Sequence, residues 1–148
     1  YFMLSQIPID ADGDFTEERF KEVYNGDLAN GLGNLVARVA KLCEQHNIEG
    51  DSGTNTWYQE VEQALQQYKF NEATSFIWSQ ISSADKLINE EKPWKLSGEK
   101  AKEILDNLVT RIQQIAFNLQ PFLPETAEKI LKQFSGQIKS ALPLFPRL

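Results

Sequence analysis

Leu28-Ala29-Asn30-Gly31-Leu32-Gly33-Asn34-Leu35-Val36-Ala37-Arg38-Val39-Ala40-Lys41-Leu42-Cys43 is the stretch that decides the fold class. Its apolar side chains fall at Leu28, Leu32, Leu35, Val36, Val39, Leu42 and Cys43, spaced by threes and fours, so they line one buried face of a helix. Gly31 and Gly33 each cost about 1 kcal/mol relative to alanine inside such a helix, which predicts close approach of a neighbouring helix or a ligand there. His46 near the end of this helix is read as a partner for its last carbonyls, and Cys43 as a buried helix residue.

The same period recurs downstream. Trp57, Val61, Ala64, Leu65 and Tyr68 form one further face, and Phe76, Ile77, Ile81, Ala84, Leu87 and Ile88 another, with a break near Tyr68-Lys69-Phe70. Pro93 must end that second helix or follow its end. After Ser97-Gly98, Ile104, Leu105, Leu108, Val109, Ile112, Ile115, Ala116 and Leu119 make the longest regular stripe, stopped at Pro121, and Pro124 can open a short last helix through Ala127, Ile130 and Leu131. Asn47 to Thr56 has loop composition. Upstream, Thr16 before Glu17 and Glu18 is a helix N-cap, Asn25-Gly26 is expected to interrupt that helix, and Asp27 to cap the next. The first ten residues alternate weakly, as a strand would, and Pro8 with Asp12-Gly13-Asp14 signals a turn. The expected fold is an all-α antiparallel bundle of about five helices.

At 148 residues, 41% hydrophobic and 24% charged, the chain can bury a core of its own, and its abrupt apolar start reads as a piece of something longer. No run is long and apolar enough to span a membrane, and a cytoplasmic location is expected. A single cysteine and a single histidine leave too few soft ligands for a zinc site. The net charge of −6 argues against broad, nonspecific binding to nucleic acid. That charge is uneven: residues 1–62 hold 4 Lys/Arg against 12 Asp/Glu, residues 63–148 hold 11 against 9. A polyanion would have to be met by a few placed cations.

No phosphate-cradling glycine loop, paired cysteine motif or nucleophile with a histidine partner occurs, so chemistry within these residues is not expected. Asn34 and Arg38 are i, i+4 neighbours beside the apolar stripe, and two readings stand: an ordinary surface pair, or an amide and guanidinium that read a base edge and a phosphate. Trp94, fixed by Pro93 at a helix end, either folds back over the bundle or stacks on a flat ligand such as a nucleobase. Asn89 and Glu90 either cap the helix or touch a ligand. The apolar tail Leu142-Pro143-Leu144-Phe145 packs back on the bundle, meets an absent domain, or marks a protein-interaction module with no RNA ligand.

Taken together, Tyr24-Asn25, Asp27 to Asn30, Leu32 to Arg38, Lys92-Pro93-Trp94 and the ending Leu144-Phe145-Pro146-Arg147 resemble the anticodon-binding domain of methionyl-tRNA synthetases over nearly the whole chain. The helical part of the pattern is shared with other class I synthetases, whose corresponding domain is the alternative. The resemblance implies that residues 1–15 end a connecting segment from a catalytic domain and that 16–148 form the anticodon-binding bundle. It implies a tryptophan at Trp94 stacked on the first anticodon base, a cytosine, with Asn34 and Arg38 helping to read CAU. Asn89 falls where some members carry an aspartate that influences anticodon selection. For the full enzyme it implies ATP-dependent attachment of methionine to its tRNA, with magnesium. The family's His-x-Gly-His and Lys-Met-Ser-Lys-Ser signatures do not occur here, so no cofactor is expected in this chain.

Overall fold

The computed structural model describes residues 1–7, 12–51, 53 and 55–148; Pro8 of the expected turn and Ser52 and Thr54 of the expected loop lie outside them. The elements in order are α1 (Phe2–Gln6), α2 (Glu17–Val23), a wide-turned π segment (Tyr24–Gly33), α3 (Asn34–His46), β1 (Glu49–Gly50), α4 (Gln59–Gln66), α5 (Phe70–Glu91), a 3-10 turn (Pro93–Lys95), α6 (Gly98–Leu119), α7 (Pro124–Gln133) and β2 (Gly136–Gln137). This is the expected all-α bundle.

At its centre stands α6, whose stripe Leu105, Leu108, Val109, Ile112, Ile115, Ala116 and Leu119 is buried against α3, α5 and α7. Two polar residues of α6 are buried as well. Asn118 Nδ2 donates to the carbonyl of Thr56 (3.1 Å) and its Oδ1 accepts from Tyr58 N–H (2.9 Å), while Gln113 Nε2 donates to the carbonyls of Asp51 (3.2 Å) and Phe134 (2.7 Å). Both side chains therefore bind backbone that has no helical partner, which offsets their burial. Next to Gln113 lies a feature not expected from the sequence, a two-residue antiparallel ladder pairing Glu49 with Gln137 and Gly50 with Gly136. A Cβ on Gly50 would fall 1.9 Å from the Phe134 carbonyl oxygen, so only glycine fits.

Three sequence expectations need correction. Asn25-Gly26 does not interrupt the chain and Asp27 does not cap a new helix, because α2, the π segment and α3 form one continuous rod. Burial of Leu28 and Leu32 outweighs the poor helix propensity of Asn-Gly, and the side chains that would have capped are used elsewhere: Asp27 Oδ2 accepts from the Tyr1 hydroxyl (2.7 Å). Residues 2–6 are a helix and not a strand, held by Phe2 against Phe15 and Phe20 (ring centres 5.5 and 5.8 Å apart) and by Tyr1 on Trp78 (4.5 Å). Trp57 and Tyr68 flank α4 instead of lying in it: Trp57 packs on Phe117 (5.0 Å), and Tyr68, past the helix end at φ 60°, is exposed. The expected Thr16 cap forms, its Oγ1 accepting from Arg19 N–H (3.2 Å).

The tail packs back on the bundle, as one of its readings required. It forms a strap that runs antiparallel to the rod. Ser140 donates from its hydroxyl (2.6 Å) and N–H (3.3 Å) to Glu44 Oε2, Phe145 meets Tyr24 edge-on (6.1 Å) and closes over Gly33, and Leu148 exchanges two backbone bonds with the Asn25 amide (3.1 and 3.2 Å). Thus Gly33 does admit a close neighbour, but the neighbour is the strap. Gly31 faces Trp78 of α5, whose indole N–H is buried without a partner among the described residues.

Gly50→Ala should cost at least about 2 kcal/mol in urea denaturation, since backbone must move to admit the methyl. The hydrogen bonds from Ser140 hold the Glu44 carboxyl below its usual range. Its contribution to strap docking is therefore complete above the unfolded glutamate range and lost as pH falls through the lowered folded value. The protection factor of the Ser140 amide, corrected for its intrinsic exchange rate, should fall on acidification in the native protein and lose that pH dependence in Glu44→Ala.

Candidate nucleic-acid interface

Asn34 opens α3 and Arg38 lies one turn on, on the same face. Arg38 reaches across to α5, where Asp85 and Asn89 are themselves i, i+4 neighbours. Its Nη1 donates to Asp85 Oδ1 (2.7 Å), its Nη2 to Asn89 Oδ1 (2.7 Å), and Asn89 Nδ2 donates to Asp85 Oδ2 (3.0 Å). The three side chains close a ring across the α3–α5 seam. The pair is half in solvent, with Arg38 30% and Asp85 42% exposed, so its net worth is at most about 1 kcal/mol. What it supplies is direction: a guanidinium fixed in plane by one hydrogen bond from each Nη, with its charge balanced by Asp85.

Asn89 therefore does not cap α5. The cap is Lys92, which adopts a left-handed conformation (φ 48°) and donates its N–H to the Ile88 carbonyl (3.2 Å). That reversal delivers Pro93 to the first position of the 3-10 turn, where it is buried against α6, and throws Trp94 outward. Trp94 is 48% exposed, partly covering the end of the bundle and partly open to solvent, so its burial does not choose between its two readings. Asn34 is exposed and its amide makes no hydrogen bond among the described residues. It borders a groove of about 420 Å³ whose other wall is the strap, Pro143 to Arg147. A second hollow, about 470 Å³, lies between Asn30 and Gly31 of the rod and Ser82, Asp85 and Asn89 of α5.

Of the residues singled out in the sequence, the structure joins Arg38 to Asn89. Asn34 and Trp94 flank them, one turn upstream on α3 and just past the end of α5, and Pro93 is the buried pivot beneath Trp94. Sequence reasoning missed Asp85. Its spacing from Asn89 was visible, but the register that sets both against Arg38 was not.

The bundle leaves the Trp94 ring, the Asn34 amide and the partly exposed Arg38 guanidinium accessible, groups of the kind that can meet unpaired bases. The comparisons with known proteins agree. The family model described as "Anticodon-binding domain of tRNA ligase" matches residues 51–146, and that described as "tRNA synthetases class I (M)" matches residues 1–40. The methionine–tRNA ligase of Clostridium acetobutylicum is 36% identical over 93% of this chain and 24% of its own length, and that of Bacillus subtilis 32% over the whole chain and 28% of its own. The chain thus spans about a quarter of the length of these relatives. In fold it is similar to the free-state methionyl-tRNA synthetase of Mycobacterium tuberculosis, with a TM-score of 0.78 at 22% identity over 100% of this chain and 38% of that one. The chain belongs to the anticodon-binding domain family of tRNA ligases, and its relatives within it are methionine–tRNA ligases.

Asp85→Ala should lower stability by no more than about 1 kcal/mol. It should nevertheless release the Arg38 guanidinium, seen as increased side-chain mobility in ¹⁵N relaxation of the arginine.

Proposed function

We propose that this domain reads the CAU anticodon of methionine-specific tRNA for a methionine–tRNA ligase that attaches methionine with ATP and magnesium in the cytoplasm. The observation that carries the reading is the half-exposed Trp94, held out by a buried proline just beyond the Arg38–Asp85–Asn89 ring. Anticodon bases are unpaired, so they can be splayed out, stacked on an aromatic face and bonded along their edges. In this reading Trp94 stacks on the cytosine, the free Asn34 amide offers both a donor and an acceptor to a base edge, and the N–H groups of Arg38 not used within the ring bond base or sugar. Asn89 contributes by holding Arg38, and Pro93 by holding Trp94.

ATP and magnesium belong, in this reading, to the rest of such a ligase. Among the described residues no three His, Cys, Asp or Glu side chains converge as a metal site requires. Among those residues, too, no helix is long and apolar enough to cross a membrane. Residues 1–15, with α1 docked on the bundle, are in this reading the end of the link from the catalytic domain.

The test is binding to a stem-loop bearing CAU beside one with its cytosine changed. Wild type should prefer CAU, and Trp94→Ala should lose about 5- to 150-fold in affinity for it, the equivalent of roughly 1–3 kcal/mol for one stacked base. Equal binding of both loops by the folded wild-type chain would count against the assignment.

A further inference from the structure

We infer that Arg147, on the C-terminal strap, is a phosphate-binding residue of this interface, a role for which Arg38, paired with Asp85, is poorly suited. The inference rests on the anticodon-reading assignment above and adds a ligand group to it. The charge distribution motivates it. A chain of net charge −6 needs each cation that meets RNA to be placed and uncompensated. Arg38 fails the second condition, since Asp85 lies 2.7 Å from its Nη1. Arg147 meets both.

Its Nη2 donates to Asn30 Oδ1 (2.7 Å), a neutral acceptor that fixes the guanidinium without cancelling it, and among the described residues no ion pair involves it. The backbone beneath it is anchored on both sides, by Phe145 over Gly33 and by Leu148 on Asn25. A long side chain on a loose tail would lose entropy on binding; here that ordering is already complete. Among the described residues Nε and Nη1 make no hydrogen bond, and that edge has the planar fork that suits a phosphodiester. Arg147 lines the same groove as the unbonded Asn34 amide, so one nucleotide lying there presents its base to the amide and its phosphate to the guanidinium. The strap is thereby a wall of the RNA site and not only a closing segment of the fold.

The contact is to backbone, so it should set affinity and salt response without setting sequence preference. Stem-loop binding is measured over a salt series for wild type, Arg147→Gln and Arg147→Lys, with melting temperatures confirming that each is folded. Arg147→Gln should weaken both loops by the same factor and reduce the slope of log K against log salt by about 0.7, the value for one contact to a single strand. Arg147→Lys should keep the slope while losing part of the affinity, because a single ammonium replaces a planar fork. An unchanged slope in Arg147→Gln with CAU preference intact would overturn the proposal and leave the anticodon reading standing. No binding of either loop by wild type would overturn both.

Discussion

Everything in this fold is arranged around α6, because at about 100° per residue its buried positions occupy more than half the circumference of the helix. A helix with one apolar stripe can be covered by one neighbour. One buried this broadly must be covered by several, and it is: α3, α5 and α7 close on its apolar arc while the segment leading into α4 and the small ladder close on Asn118 and Gln113. Those two amides act as fixed attachment points, because a buried amide without partners would be costly and each can be satisfied only by particular backbone groups. They therefore determine where an irregular stretch of chain runs.

The helices were legible in the sequence because spacing by threes and fours needs no partner to be recognised. The limits were set by effects that depend on a partner. Asn25-Gly26 has the composition of a break, yet Leu28 and Leu32 are buried strongly enough to carry the helix through it in a wider turn. The ladder is too short to leave any alternation, and its glycine is required by a carbonyl that is distant in sequence. At the site, Trp94 and Pro93 could be singled out from local chemistry, and so could the Asn34–Arg38 spacing. Asp85 and Arg147 could not, since each takes its meaning from a residue on another element: Arg38 in one case, Asn30 in the other.

The electrostatics of the interface follow a division that composition conceals. Arg38 is held by a carboxylate and so is directional but nearly neutral as a pair. Arg147 is held by an amide and so keeps its charge. In the proposed reading, an acidic domain thus meets RNA without a basic surface, separating the reading of base edges from attraction to the backbone.

The rod from Glu17 to His46 joins the aromatic cluster around Phe2 and Phe20 to the seam that holds Arg38, with no loop between them. Its consequence is one of phase. In a helix, one residue more or less between these points rotates all that follows by about 100° and shifts it by about 1.5 Å. Arg38 would then turn away from α5, and the strap's contacts at residues 25, 30, 33 and 44 would fall out of step with one another. Loops elsewhere in the chain can absorb a change in length, but this rod behaves as a toothed rack, on which the spacing of parts is counted in whole residues.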